Sequence, residues 1–183
     1  MKATMAILPG LLLAALTYAS GALGSVASGL PASSYSQSAS YLGYTAAAAF
    51  NGGTWNAGTF GTQWLQVDLG VDFPVVEVSF ATEQSPNGVT SQSLYLSDTP
   101  IGFGWSSRVP VASRSGFTVT GTPVTFSFAA ASARYVEIVV NGGPSWTALT
   151  NVAVVAAIPE PRAFALMAAG LAMLGAYARS RRA

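Results

Sequence analysis

The chain has no cysteine and no histidine among its 183 residues, and its single lysine is Lys2. Without cysteine there can be no disulfide framework, no thiol nucleophile and no thiolate metal site. Without histidine, Ser–His–Asp hydrolysis and histidine-ligated zinc are excluded. Carboxylates, hydroxyls and arginine are the side chains that remain for catalysis, and the sequence predicts no catalytic residue among them.

Charge is scarce as well: 8% of residues are charged, against about 25% in a typical soluble protein. The central residues 28–157 contain three arginines and six acids, so their net charge is near −3. They have no basic patch. Binding to nucleic acid needs clustered lysine and arginine to neutralise phosphates, and the sequence therefore predicts no nucleic-acid partner.

The N-terminal end is apolar. Lys2 is followed by an uncharged apolar stretch and then by small residues, an order typical of a secretory signal peptide. Ser25-Val26-Ala27 fits the small-residue cleavage pattern, which predicts a signal peptide over residues 1–27 that is removed by signal peptidase. Cleavage after Ala22 or Gly24 remains open. An uncleaved membrane anchor is the alternative, although the segment is short for a stable span.

The C-terminal end contains a second apolar stretch. Residues 163–178 carry no charge and are followed by the basic tail 179–183, with Arg179, Arg181 and Arg182. As a helix this stretch rises about 24 Å, slightly less than a hydrocarbon core of about 30 Å. Snorkelling arginines and local thinning can cover the difference. The positive-inside rule keeps the tail cytoplasmic and the upstream chain outside, so we predict a transmembrane helix that crosses the inner membrane.

The segment before this helix is Ile158-Pro159-Glu160-Pro161-Arg162. Two prolines hold the chain extended and display the glutamate between them. Together with the apolar helix and the arginine-rich end, residues 158–183 resemble the PEP-CTERM sorting signal of Gram-negative bacteria. Arg162 stands where that family usually has serine or threonine. A plain tail anchor with a proline-rich linker is the alternative.

The PEP-CTERM resemblance implies a pathway and a partner. In that family an exosortase, an integral-membrane enzyme similar to cysteine transpeptidases, processes the protein at the motif, and Pro159, Glu160 and Pro161 would be the recognised residues. The family is associated with exopolysaccharide and biofilm production. The resemblance therefore implies a membrane-anchored precursor that reaches the cell surface or extracellular matrix, with a polysaccharide as a possible partner.

The central region has the periodicity of β-strands. Polar and apolar residues alternate in six short runs, at residues 64–69, 76–80, 93–96, 124–128, 135–140 and 152–155. Period-2 alternation with β-branched and aromatic residues is typical of half-buried strands. No stretch has the pattern of an amphipathic helix. Many short strands with turn residues between them predict an all-β sandwich over residues 28–157, of the jelly-roll or immunoglobulin kind.

Two local motifs favour the jelly roll. They are Ala49-Phe50-Asn51-Gly52-Gly53-Thr54-Trp55 and Gln63-Trp64-Leu65-Gln66-Val67-Asp68-Leu69-Gly70. They resemble the discoidin or coagulation factor 5/8 type C domain, in which a similar loop precedes a W-L-Q-V-D-L-G strand. The resemblance implies a galactose-binding-like jelly-roll β-sandwich. Loops at one end of such sandwiches often bind sugars, lipid head groups or proteins.

The same resemblance implies ligands for a structural Ca²⁺, at Asn51, Thr54 and Asn151. Calcium prefers six to eight oxygen ligands, some of them carboxylates. Asparagine replaces the acid that the family has at two of these positions, so the site would lose two negative charges. That favours the alternative, a loop held by asparagine side-chain hydrogen bonds and no metal.

Exposed aromatic residues can stack on sugar faces. Trp105 and Trp146 are surrounded by turn-forming residues, and Tyr44 is a third candidate, so these three are the predicted ligand contacts. The alternative is that the two tryptophans anchor their loops in the core. Trp55 and Trp64 are predicted to be core residues, where a large ring is stabilised by burial and a hydrogen-bonded N–H.

Three functions are open at this point. The first is an exported surface or matrix protein with a non-catalytic binding sandwich. The second is a structural or spacer protein without a small ligand. The third is a carbohydrate-active enzyme that uses two carboxylates about 5–9.5 Å apart, but the sequence places no carboxylate pair in an obvious loop.

Overall fold

The computed structural model describes residues 24–157, together with the isolated positions 170, 171, 173 and 180. The predicted sorting motif and most of the predicted signal peptide and transmembrane helix lie outside these described residues. Within the described part, no helix is both long and apolar enough to span a membrane.

Residues 24–157 contain seven strands and few helices. The strands are β1 (Tyr35–Gln37), β2 (Thr54–Asn56), β3 (Thr62–Thr82), β4 (Gly88–Ser97), β5 (Ala112–Thr118), β6 (Pro123–Asn141) and β7 (Ala148–Ala156). The helices are the five-residue α1 (Ala46–Phe50) and two 3-10 helices, Ala32–Ser34 and Gly102–Ser107. All six predicted strand runs lie within β3, β4, β6 or β7, and the predicted all-β class is confirmed.

Strands β3 and β6 pair antiparallel along almost their whole length and are shared by both layers of a sandwich. Their register shifts between Asp68 and Phe73, where Gly70 has a φ of +82° that glycine adopts without steric cost. The first half of β3 and the second half of β6 join β1, β4 and β5, and the other halves join β7 and β2. This is the predicted jelly-roll sandwich, with two of its strands longer than the sequence indicated.

The main core lies between the two layers. Alternation along β3 and β6 turns Leu65, Val67, Val136 and Ile138 inward, where they are fully buried. Trp55 is also fully buried, and its Nε1 donates to the Ala39 carbonyl at 2.8 Å. The prediction that Trp55 is a core residue is confirmed.

Trp64 is buried in a second cluster, on the outer face of the layer formed by β3, β6 and β4. It packs with Tyr95, Ile101 and Val139, and the half-buried Trp105 lies against them. The Gly102–Ser107 helix covers this face, held by the Gln66 side chain, whose Oε1 accepts from the Ile101 amide at 2.7 Å. Trp64 is therefore buried as predicted, but its Nε1 has no hydrogen-bond partner among the described residues.

Residues just before 28 belong to the packed body. The Val26 amide donates to the Val154 carbonyl at 2.9 Å, and the Ser25 hydroxyl accepts from the Val154 amide at 3.0 Å. Ala27 is fully buried in the main core. At the other end, the Ala157 amide donates to the Pro74 carbonyl at 2.7 Å, so strand packing extends to the last residue before the predicted sorting motif.

Candidate functional site

Four connections meet at one end of the sandwich: residues 57–61, 83–87, 119–122 and 142–147. They converge because β3 bends back on itself, which brings both of its ends to the same side. Main-chain hydrogen bonds join the loops, including Thr147 N to Thr59 O at 3.1 Å and Glu83 N to Ala148 O at 3.1 Å. Between the loops lies a cleft of about 460 Å³, within the size range of small-ligand sites.

Three aromatic side chains from separate loops form one exposed cluster beside this cleft. The rings of Tyr41 and Trp146 have centroids 5.4 Å apart at 55°, and those of Phe60 and Trp146 are 6.4 Å apart at 77°. All three residues are 41–58% exposed. We call Tyr41, Phe60 and Trp146 the aromatic cluster. Exposed apolar groups gathered at a concave site are typical of a binding surface.

The loop that carries Trp146 is fixed by hydrogen bonds between its backbone and nearby side chains. The Thr147 hydroxyl donates to the Gly61 carbonyl at 2.9 Å and accepts from the Gly142 amide at 3.2 Å. Gly143, with a φ of +62°, donates its amide to Asn141 Oδ1 at 2.9 Å. These bonds connect the loop to β6 and to the 57–61 loop, and so fix the backbone on both sides of Trp146 before any ligand arrives.

Most polar groups that line the cleft are already hydrogen-bonded to the protein. Ser145 Oγ accepts from the Ser85 amide at 3.0 Å, and Gln84 Nε2 donates to the Gly142 carbonyl at 3.3 Å. Glu83 and Asn56 are among the lining residues with a polar atom that is not hydrogen-bonded within the described part of the chain. Glu83 accepts from Thr54 Oγ1 at 3.3 Å through Oε1, and Asn56 accepts from the Gly58 amide at 2.7 Å through Oδ1. Glu83 Oε2 and Asn56 Nδ2 are left to meet a ligand.

The three predicted aromatic contacts lie in two places. Trp146 lines the cleft. Tyr44 is 48% exposed and lies next to the aromatic cluster, because its amide donates to the Tyr41 carbonyl at 3.0 Å and its carbonyl accepts from the Asn56 amide at 3.2 Å. Trp105 packs instead against the Trp64 cluster on the outer face. The structure thus brings Tyr44 and Trp146 together and leaves Trp105 apart from them.

Sequence reasoning missed Tyr41 and Phe60. Phe60 stands in the run Gly58-Thr59-Phe60-Gly61, the same turn-rich setting that pointed to Trp146, so the same signal could have found it. Tyr41 has no such signal. It joins the cluster only when the chain folds and brings Trp146, which is distant in sequence, against its ring.

Two of the three predicted metal ligands, Asn51 and Thr54, already have side-chain hydrogen bonds to the protein. Asn51 Oδ1 accepts from the Gly29 amide at 2.7 Å and from Ser28 Oγ at 3.2 Å. Its Nδ2 donates to the Ala47 carbonyl at 2.7 Å. Asn151, at a φ of +53°, donates its backbone N–H to the Gly53 carbonyl at 3.1 Å, and its side chain is exposed. These bonds hold the motif loop in shape.

Further donors near these residues are also engaged or uncharged, which disfavours Ca²⁺. The Gly53 carbonyl also accepts from Thr150 Oγ1 at 2.8 Å, and Thr54 Oγ1 is bonded to Glu83. Within the described residues, no three His, Cys, Asp or Glu side chains gather as metal ligands would. A hard cation needs six to eight free oxygens, some of them charged. The residues present do not fit a calcium site.

Comparisons with known proteins agree with this fold. A family model described as F5/8 type C domain matches residues 30–154. The CBM32 of AlyQ, solved in complex with 4,5-unsaturated mannuronic acid, superposes with a TM-score of 0.53 and 25% identity, over 67% of this chain and 94% of that one. Truncated AlyQ, with CBM32 and alginate lyase domains, gives a TM-score of 0.54 and 27% identity over 69% of this chain and 32% of that one.

A more distant structure shows the same fold. It is a variant of chitosan-binding module 1, derived from the chitosanase/glucanase of Paenibacillus sp. IK-5, with a TM-score of 0.51 and 22% identity over 73% of this chain and 98% of that one. No curated protein matches the chain in sequence.

Proposed function

The chain belongs to the F5/8 type C domain family, and on that premise we propose that it is the non-catalytic carbohydrate-binding domain of an exported surface or matrix protein. The observation that carries the proposal is the exposed aromatic cluster at the mouth of the loop-end cleft. Related structures support it, since the CBM32 of AlyQ was solved with a bound sugar acid.

The chemistry of the cleft suits a sugar. A pyranose ring has an apolar face and a polar edge, and an aromatic side chain stacks on the first while hydrogen-bonding groups meet the second. Trp146 offers the indole face, and Glu83 Oε2 and Asn56 Nδ2 offer one acceptor and one donor. Because the loop bonds already fix the backbone on both sides of Trp146, little backbone conformational entropy is lost when a ligand binds.

The cleft lacks the groups for hydrolysis. A glycosidase acts through two carboxyl groups that flank the scissile bond. Glu83 is the single carboxylate among the described residues that line this cleft. A binding role therefore explains the site better than catalysis.

Replacing Trp146 with alanine is expected to weaken glycan binding by about tenfold or more, because the stacking face is lost. Binding of the purified protein to a glycan panel, followed by calorimetry on the best ligand, measures this. Phe103→Ala is the matched control, since that ring is 73% exposed but lies on the outer face beside Trp64. Its binding should be unchanged.

The alternatives predict different results. If the folded protein binds no glycan in the panel, the proposed function fails and a structural or spacer role takes its place. If Trp105→Ala abolishes binding while Trp146→Ala does not, the ligand site lies on the outer face and our assignment of the cleft is wrong. Hydrolysis of a panel member would establish an enzyme instead.

The proposed export rests on the two apolar ends of the sequence. Signal peptidase would remove the first, and an exosortase would read Pro159, Glu160 and Pro161 before the second. The packing of residues 25–27 against β7 supports cleavage after Ala22 or Gly24 rather than after Ala27. The exopolysaccharide of the producing cell is the partner that fits both this pathway and an aromatic cleft.

Mass spectrometry of the exported protein tests this pathway. The mature chain should begin at Leu23 or Ser25 and end near the sorting motif. Glu160→Ala should leave the C-terminal segment attached and the protein in the membrane, because the displayed carboxylate is lost. Normal maturation of that variant would contradict sorting by an exosortase, and the plain tail anchor would then explain residues 158–183.

A further inference from the structure

Resting on the proposed function, we infer that the cleft selects glycans that carry a protonated amino group, such as de-N-acetylated hexosamine oligomers, over acidic and neutral ones. The inference starts from the charge of the cleft. Glu83 is the one charged side chain among the described residues that line it, and Glu83 Oε2 accepts no hydrogen bond from them.

No cation of the described body neutralises this carboxylate. Arg134 forms a two-pronged ion pair with Asp68, at 2.7 and 2.8 Å, near the bend of β3. Arg108 donates to Ser97 Oγ at 2.8 Å, at the end of β4 farthest from the cleft. Arg114 directs its guanidinium to the Pro123 carbonyl. Thus each of the three arginines in residues 24–157 is directed to a partner outside the cleft.

An acidic sugar has little to hold it here. Recognition of a sugar carboxylate in proteins relies on arginine or on clustered donors, whereas this cleft would place the sugar carboxylate near Glu83. Like charges brought together in a partly desolvated cleft repel each other. The CBM32 of AlyQ, by contrast, was solved in complex with a sugar acid.

An ammonium group meets two features of the cleft at once. One of its three N–H groups can donate a charge-assisted hydrogen bond to Glu83 Oε2. Aromatic faces also attract cations, tryptophan most strongly, and Trp146 lines the same cleft as Glu83. The positive charge of an amino sugar stacked on the indole could therefore be attracted to both groups. An N-acetylated sugar has no positive charge and gains neither attraction.

The test compares three oligosaccharides of equal length by calorimetry with the full chain in mild detergent at pH 6. They are a glucosamine tetramer, an N-acetylglucosamine tetramer and a mannuronate tetramer. We expect the glucosamine tetramer to bind about tenfold more tightly than the acetylated one and the mannuronate tetramer to bind most weakly. The preference should shrink as salt is added, because the carboxylate is partly exposed.

Glu83→Gln should remove the preference for the amine, so that the glucosamine and N-acetylglucosamine tetramers bind alike, because glutamine keeps the size of the side chain and its bond to Thr54 but not the negative charge. Asp72→Asn is the matched control, because Asp72 is an exposed carboxylate at the bend of β3, at the opposite end of the sandwich. If the acetylated tetramer binds and Glu83→Gln changes nothing, or if mannuronate binds best, the inference is overturned and carbohydrate binding stands. If none of the three binds and the wider panel is also silent, both proposals fail.

Discussion

Replacing Glu137 with glutamine is expected to stabilise the protein by a few kcal/mol at pH 8 and to leave its stability nearly unchanged at pH 4. Glu137 is fully buried on the outer face, beneath the Gly102–Ser107 helix, and neither carboxylate oxygen has a hydrogen-bond partner among the described residues. Burial raises the pKa of this carboxyl to about 8, and the nearby Gly102 amide and Arg108 charge lower it less.

The direction of this pH dependence follows from the linkage between protonation of Glu137 and folding. The pKa of Glu137 is higher in the folded protein than in the unfolded chain, so its contribution to stability is complete below about pH 4.5 and is lost as the pH rises to about 8. Each pKa unit is worth about 1.4 kcal/mol. Glutamine resembles the protonated acid and does not ionise, so the variant should lack this loss.

Chemical unfolding at several pH values between 4.5 and 8.5 measures the effect. The wild type should lose stability across this window, and Glu137→Gln should not. Asp98→Asn is the control, since Asp98 is exposed and should shift stability by less than about 0.5 kcal/mol. The Asp68–Arg134 ion pair does not interfere, because it lowers the pKa of Asp68 to about 2, and that contribution is lost only below pH 4. Parallel pH profiles for wild type and Glu137→Gln would contradict the prediction.

Alternation along the sequence predicts the strands of this fold because it is a local property. It cannot tell that residues 64–69 and 76–80 form one bent strand, since the pattern on each side of Gly70 is the same for one strand or two. The bend depends on a glycine in the left-handed region and on its pairing with a similar bend in β6. Both are visible only when the two strands are side by side.

The candidate site is harder to predict because it joins distant loops. The turn-forming residues around Trp146 indicate it as a contact and Tyr44 is a further candidate, whereas Tyr41 and Phe60 belong to the cluster through contacts across more than 80 residues of sequence. Glu137 shows a different limit of the sequence pattern, which predicts an exposed residue where the structure has a buried one. It alternates with Val136 and Ile138 as a solvent-facing residue would, and the covering Gly102–Ser107 helix buries it.

Replacing Gly143 with alanine is expected to destabilise the protein by about 3 kcal/mol or to displace the loop that carries Trp146. A Cβ at this position would lie 2.1 Å from the Val89 carbonyl oxygen, a backbone atom that cannot move aside without disturbing the pairing of β4. Gly143 also has a φ of +62°, which costs a residue with a side chain about 1–2 kcal/mol. Steric overlap adds to this strain.

Gly121→Ala separates the effect of the positive φ from the effect of the steric overlap. Gly121 has a φ of +80°, but a Cβ there would meet nothing within 4 Å, so this variant should show the strain alone, about 1 kcal/mol. Chemical unfolding and glycan binding should be measured for both variants. We expect Gly121→Ala to keep full binding and Gly143→Ala to lose it even where it remains folded, because the clash acts on the loop that positions the indole. Equal losses of stability in the two variants, with binding intact in both, would mean that the loop can shift freely and that Trp146 is not held in place before the ligand arrives.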